Sequence, residues 1–253
     1  MKVVKLVIIK SFLMNSINFE SLIITIFVLV DDWYQTEGKA LKGVSPGTKP
    51  EMSDSEIMTL ALVMDYLPFP GETQFIGFIR ANYGSWFPQL LEQSQFNRRL
   101  RKLGRMLEIL RRKWVRQLGV EGVSSLVIDT KPIPVMGYRR SKKRSDFYGS
   151  ADYGYCAARK MKYFGYKLVM LSTLEGIPIA YDLVSANTDE RKSVEGVFHE
   201  IQNTGRNPER LLNKTVAGFV THMAAKITSH TLRLLLRRQF GIDVQTFQSV
   251  AVC

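Results

Sequence analysis

Cysteine and histidine are scarce in this chain: 253 residues hold two cysteines, Cys156 and Cys253, and three histidines. Two cysteines so far apart cannot build a disulfide framework, and no paired-cysteine spacing suits zinc, so a reducing cytoplasm is the expected compartment. His199, His222 and His230 do not fall at metal-ligand spacing and read as surface or satisfied core residues. Acidic residues are in deficit too. Lys and Arg number 35 against 23 Asp and Glu, a formal net charge of +12, so the field around the protein attracts polyanions, of which nucleic acid is the usual one. Apolar runs long enough to cross a bilayer are missing. The two most apolar stretches, residues 3–10 and 22–30, are each too short, and no Ala-x-Ala-like cleavage site follows the first. No membrane span or secretory leader is expected there, but a buried helix or strand is.

What is present divides near Gly119 to Ser124, giving an expected helical, DNA-binding unit over residues 1–120 and a mixed unit, α+β or α/β, over residues 121–253. Ser53-Asp54-Ser55-Glu56 is a capping box, and Ile57, Leu60, Ala61 and Met64 continue it as one apolar stripe. Residues 73–83 predict a second helix, with Phe75, Phe78 and Ile79 inward. Residues 88–118 predict a third with at least one break. It carries Arg98, Arg99, Arg101, Lys102, Arg105, Arg111, Arg112, Lys113 and Arg116, interleaved with Leu100, Leu103, Met106, Leu107, Leu110 and Trp114. The apolar set faces a core while the cations form a stripe, which is either a DNA-backbone surface or an ordinary solvated helix face.

Ser125-Leu126-Val127-Ile128 predicts a short buried strand, which Asp129-Thr130-Lys131-Pro132 should end because proline cannot donate to a sheet ladder. Asp129 at a strand mouth either caps a turn or holds a divalent cation against a phosphate. The polar stretch 138–160, with Arg139, Arg140, Lys142, Lys143 and Arg144 followed by Tyr153 and Tyr155, is expected as a loop that grips phosphate and stacks on a base. Residues 162–173 and 177–184 predict a hairpin turning at Glu175-Gly176, with Pro178 near the start of its second strand. Two helices follow, one over residues 187–202 that carries Glu195, and one over residues 208–238.

Together these stretches resemble one family, the DDE transposases of bacterial insertion sequences. The resemblance is carried by Leu29-Val30-Asp31-Asp32-Trp33-Tyr34, Phe69-Pro70-Gly71-Glu72, Val127-Ile128-Asp129 with Pro132-Ile133-Pro134-Val135, Ala151-Asp152-Tyr153-Gly154-Tyr155 and Tyr163-Phe164-Gly165-Tyr166-Lys167-Leu168. Ala186-Asn187-Thr188-Asp189-Glu190-Arg191 and Val194-Glu195-Gly196-Val197-Phe198 extend it. It implies a helical N-terminal domain, a ribonuclease-H-like domain and C-terminal helices. It also implies Mg2+ or Mn2+ held on three acids, DNA bearing terminal inverted repeats as partner, and strand cleavage and transfer during transposition. Asp129 matches the first acid and Glu195 the third, with Lys167 and Arg191 as further phosphate contacts.

The second acid of such proteins lies on a further strand, in an Asp-Lys-Gly stretch, between the Asn-Thr-Asp-Glu-Arg segment and the Glu helix. Here Glu190-Arg191-Lys192-Ser193 runs straight into Val194-Glu195, as if the chain were internally deleted. Asp182 and Asp189 do not replace that acid. The expectation is therefore a DNA-binding, catalytically defective transposase relative, with β-strand 127–129 central in an incomplete sheet, Glu195 near Asp129, and self-association through the open sheet edge. The competing expectation is a structural nucleic-acid-binding protein whose acids are only turn and cap residues.

Overall fold

The computed structural model describes residues 17–42, 50–120, 123, 125–139, 142–188, 214–244 and 247. The apolar run after Asn18 is a helix, α1 (Phe19–Trp33), and the Asn18 side chain caps it by accepting from Ser21 N at 2.8 Å. Leu22, Ile26 and Val30, one turn apart, are completely buried. The chain continues through a π turn (Tyr34–Gly38) and one more helical turn (Lys39–Lys42).

Helix α2 (Asp54–Val63) starts at the predicted capping box. Ser53 Oγ accepts from Glu56 N at 3.1 Å, and the Glu56 carboxylate accepts from Ser53 N at 2.5 Å. Its burial is not one stripe: Ser55 and Thr59 are as inaccessible as Ile57 and Leu60, because α2 lies inside the helical layer with neighbours on several sides. Helix α3 (Glu72–Tyr83) follows the Pro68-Phe69-Pro70-Gly71 corner. Helix α4 (Gln93–Gln117) is unbroken, so the expected interruption lies ahead of it, in residues 88–92. The glycine inside α4 allows a close approach, since a Cβ on Gly104 would meet Thr221 Oγ1 at 3.0 Å.

The sheet is four-stranded: β1 (Leu126–Met136), β2 (Asp152–Cys156), β3 (Met161–Thr173) and β4 (Pro178–Ser185). All pairings are antiparallel, so the class is α+β rather than a parallel α/β layer. Strand β3 is its axis. β1 lies along one side of it, while β2 and β4 follow one another on the other side, pairing with residues 161–165 and 166–172.

Two expectations are corrected here. The first strand is not central, because among the described residues it pairs with β3 alone. Nor does it end at Asp129. It runs on through Pro132 and Pro134, two residues apart, whose missing amides therefore point the same way, toward the open edge where no ladder bond is lost. The stretch 138–160 also contains structure unseen in its composition: β2 and β3 form a hairpin, closed by a turn at residues 157–160 in which Lys160 is left-handed (φ 48°).

Gly165 sits where β1, β2 and β3 meet, opposite both Pro134 and Asp152. A Cβ there would fall inside the contact distance of the Ile133 carbonyl oxygen, with backbone atoms of Ile133 and Pro134 at 3.1 Å. Gly165→Ala is expected to force β1 and β3 apart and lower stability by at least ~1–3 kcal/mol. Urea unfolding checks this, with Gly137→Ala, just past β1 where an added Cβ meets nothing within 4 Å, as the comparison expected to change little.

The cores explain how the sheet is held. Ile133, Phe164, Tyr166, Leu168 and Met170 pack against Phe219, Met223 and Ile227 of helix α5 (Val216–Phe240). The other side of α5 places Ala225, Leu232, Leu235 and Leu236 in the core formed with α1, α2 and α4. Helix α5 is therefore buried almost all round and belongs to both layers. Gly241 ends it in the left-handed conformation (φ 67°), with its amide donating to Arg237 O. No described helix is long and apolar enough to cross a membrane.

Candidate functional site

On α4 the predicted amphipathic split is present, with Phe96, Leu100, Leu103, Leu107, Leu110 and Trp114 buried. Arg98, Arg101, Lys102 and Arg105 are exposed at spacings of three, one and three residues, so they share one face. Arg112 and Arg116 extend that face. Two members of the predicted stripe are turned inward. Arg99 donates to Met52 O at 2.6 Å and to Asp54 at 2.7 Å. Burial alone would raise the pKa of Asp54, but the hydrogen bonds from Lys42, Tyr34 and Arg99 outweigh it and hold the carboxyl below its usual range.

Arg111 is 1 % exposed. It makes two bonds of 2.8 Å to Glu108, reaches Pro178 O at 2.5 Å and Ile179 O at 3.1 Å, and lies over the Tyr181 ring at 5.3 Å. It fastens α4 to the start of β4 and is not a phosphate contact.

The second basic segment divides in the same way. Arg139, Lys143 and Arg144 are exposed, whereas Lys142 is buried and donates to the carbonyls of Gly137 and Tyr138 at 2.5 and 2.9 Å, beneath the Tyr153 and Phe164 rings. Lys142 closes its own loop. Lys167 is likewise buried, donating to Thr188 O. Arg140, Arg191 and Glu195 lie outside the described residues.

Asp129 is mid-strand and 3 % exposed, not at a mouth, and one of its oxygens accepts from Thr130 N at 2.8 Å. Register fixes its direction. Asp129 is opposite Met170, which is opposite Tyr181, while Asp182 is opposite Val169 and hence in line with Thr130. Successive strand residues alternate faces, so Asp129 points with Leu168 and Met170 toward α5 and Asp182 points to the outer face. No group of three His, Cys, Asp or Glu side chains suited to a metal occurs among the described residues. Of the two acids that the resemblance assigns to a metal, Asp129 is described and Glu195 is not.

The sequence reading missed a polar cluster between the helices. Gly71 and Glu72 at the start of α3, Gln93, Asn97 and Arg101 on α4, and Lys214, Gly218 and His222 around the start of α5 line one cavity of about 410 Å³. Glu72 and His222 are 6 % and 7 % exposed, with Oε1 and Nε2 2.7 Å apart. Gln93 Nε2 donates to Glu72 Oε2 at 2.7 Å, and Asn97 Nδ2 reaches both carboxylate oxygens at 3.1 Å. Burial would raise the Glu72 pKa, but these bonds and the nearby imidazole prevail and hold it below the ordinary value. Glu72 thereby anchors the His222 ring. The two residues are 150 positions apart, and the only hint in the sequence was a glutamate directly after Pro70-Gly71. The chain matches no protein-family model, no curated protein and no solved structure.

Proposed function

We propose that this chain is a DNA-binding protein of the insertion-sequence transposase kind that has lost strand cleavage. The observation that carries the DNA-binding half is the row of exposed cations Arg98, Arg101, Lys102 and Arg105 on one face of α4, backed by an excess of twelve positive charges. A straight helix presenting cations at this spacing contacts backbone phosphates and positions a duplex without reading its sequence. Arg139, Lys143 and Arg144 supply a second exposed group. The catalytic half is argued from Asp129, whose sheet neighbour in sequence type, Asp182, faces away from it.

The test is salt-dependent binding to duplex DNA followed by fluorescence anisotropy. Each neutralised phosphate contributes a log–log slope of about −0.9, so a variant with Arg98, Arg101, Lys102 and Arg105 all changed to alanine should show a slope shallower by about 3–4. An unchanged slope would remove α4 from the interface. Preference for a duplex carrying the element's inverted repeats over a random duplex of equal length supports descent from a transposase. Equal affinity for the two supports the structural nucleic-acid-binding alternative.

A further inference from the structure

The cavity between α3, α4 and α5 has a composition that the backbone-binding row does not explain. Its floor is a histidine fixed by a buried carboxylate, and its rim carries Arg101 and Lys214, neither ion-paired among the described residues. Arg101 belongs at once to this rim and to the cationic row of α4, so the cavity opens beside the surface assigned to DNA. We propose that it is a nucleotide pocket that takes the phosphate of a strand-terminal or free nucleotide, bound by Arg101 and Lys214 with His222 facing the occupant.

Charge, size and depth support this choice of occupant. Glu72 carries one negative charge, but its two oxygens are already engaged by His222, Gln93 and Asn97, so the charged groups left to meet a ligand are the cations Arg101 and Lys214. A volume of about 410 Å³ suits a phosphate together with its sugar or base, and is wasteful for a bare anion. The imidazole is recessed, at 7 % exposure. An intact duplex presents its phosphates on a convex surface and cannot bring one to such a depth, whereas a strand end or a single nucleotide can.

Two amides at the start of α5 are already engaged. Val216 N donates to Asp146 at 2.7 Å and Gly218 N to Thr215 Oγ1 at 3.1 Å. Glu72 is a positioning residue in this scheme. By holding Nε2 it sets the orientation of the ring that lines the cavity.

The pocket rests on the DNA-binding reading for its strand-end occupant, but the experiment separates the two. Single-stranded oligonucleotides with a 3′ dye, with and without a 5′-phosphate, are titrated against the wild type, Arg101→Ala/Lys214→Ala, and Arg139→Ala/Lys143→Ala/Arg144→Ala. Nucleoside 5′-monophosphate and inorganic phosphate serve as competitors. The wild type should favour the 5′-phosphorylated strand by about tenfold or more, the scale of one charged hydrogen bond. The rim variant should lose that preference and the loop variant should keep it. Competition by the monophosphate at the strand's own concentration identifies a free nucleotide as occupant; competition only at far higher concentration identifies the strand end.

Ring resonances of His222 should move on addition of the monophosphate in the wild type and stay fixed in the rim variant, a readout independent of DNA. Equal binding of the two oligonucleotides together with unmoved His222 resonances overturns the pocket even if duplex binding persists. A 5′-phosphate effect or a His222 shift without any duplex binding overturns the DNA reading and leaves the pocket standing.

Discussion

Changing Arg111 to alanine is expected to destabilise the protein by about 3–5 kcal/mol, a large part of the ~5–15 kcal/mol that usually separates folded from unfolded domains. The guanidinium is 1 % exposed and meets three partners: the Glu108 carboxylate, Pro178 O and Ile179 O. Removing it leaves two carbonyls without their donor and the half-shielded carboxylate with the bond from the exposed Arg112. The Glu108 pKa is held low, against the pull of burial, by the bonds from Arg111 and Arg112. The sign follows: a depressed carboxyl stabilises the fold above its unfolded pKa, and that contribution is lost as pH falls through the folded pKa. Chemical unfolding near neutral pH tests the loss. Arg112→Ala is the comparison, since Arg112 is exposed and its single bond to Glu108 should matter by less than about 1 kcal/mol. Equal effects from the two variants would show that the buried contacts do not hold α4 to β4.

Supercoiled plasmid carrying the element's inverted repeats is expected to stay supercoiled when incubated with the purified protein and magnesium or manganese. Two-metal phosphoryl transfer needs several carboxylates converging on ions roughly 3.5–4 Å apart, and magnesium tolerates little departure from octahedral order. Asp129 is enclosed on the inner face of the sheet, and Asp182 lies on the outer face. Loss of one ligand from such a site removes several kcal/mol of transition-state stabilisation, on the order of a thousandfold or more in rate. Nicking that disappears on Asp129→Ala would sink the expectation and call for a replacement acid. Asp189, outside the described residues, would then be the first to change.

Local rules written in the sequence were followed where the signal was local. The Ser53/Glu56 capping box, the apolar face of α4 and the hairpin at Glu175-Gly176 all depend on residues within a turn or two of each other. Failures came where tertiary context decides. Prolines 132 and 134 are strand breakers only if a neighbour needs their amides, and composition does not say which edge of a sheet is open. Arg111 and Lys142 look like their exposed neighbours because nothing in a run of cations reveals which ones have carbonyls waiting. The Glu72–His222 pair needed the fold itself, since periodicity carries no information about residues on different helices. Asp129 reads as a strand-mouth acid only if the strand stops there, and the strand instead runs on past it to Met136 along one side of β3.

One consequence of α5 serving two layers lies in the order of synthesis. The helical layer closes its interior with residues near position 230, as when Tyr66 donates to Ser229 O and Ser229 to Leu62 O across more than 160 positions. At a ribosomal pace of roughly 5–20 residues per second, α1, α2 and α4 wait on the order of ten seconds with an unfilled groove before α5 emerges to fill it. Closing so large a loop is slow compared with forming the individual helices. The nascent chain therefore spends most of its synthesis as unjoined parts, with β1 available to other chains and the groove available to chaperones. Any early stop upstream of Val216 produces a polypeptide with neither core complete.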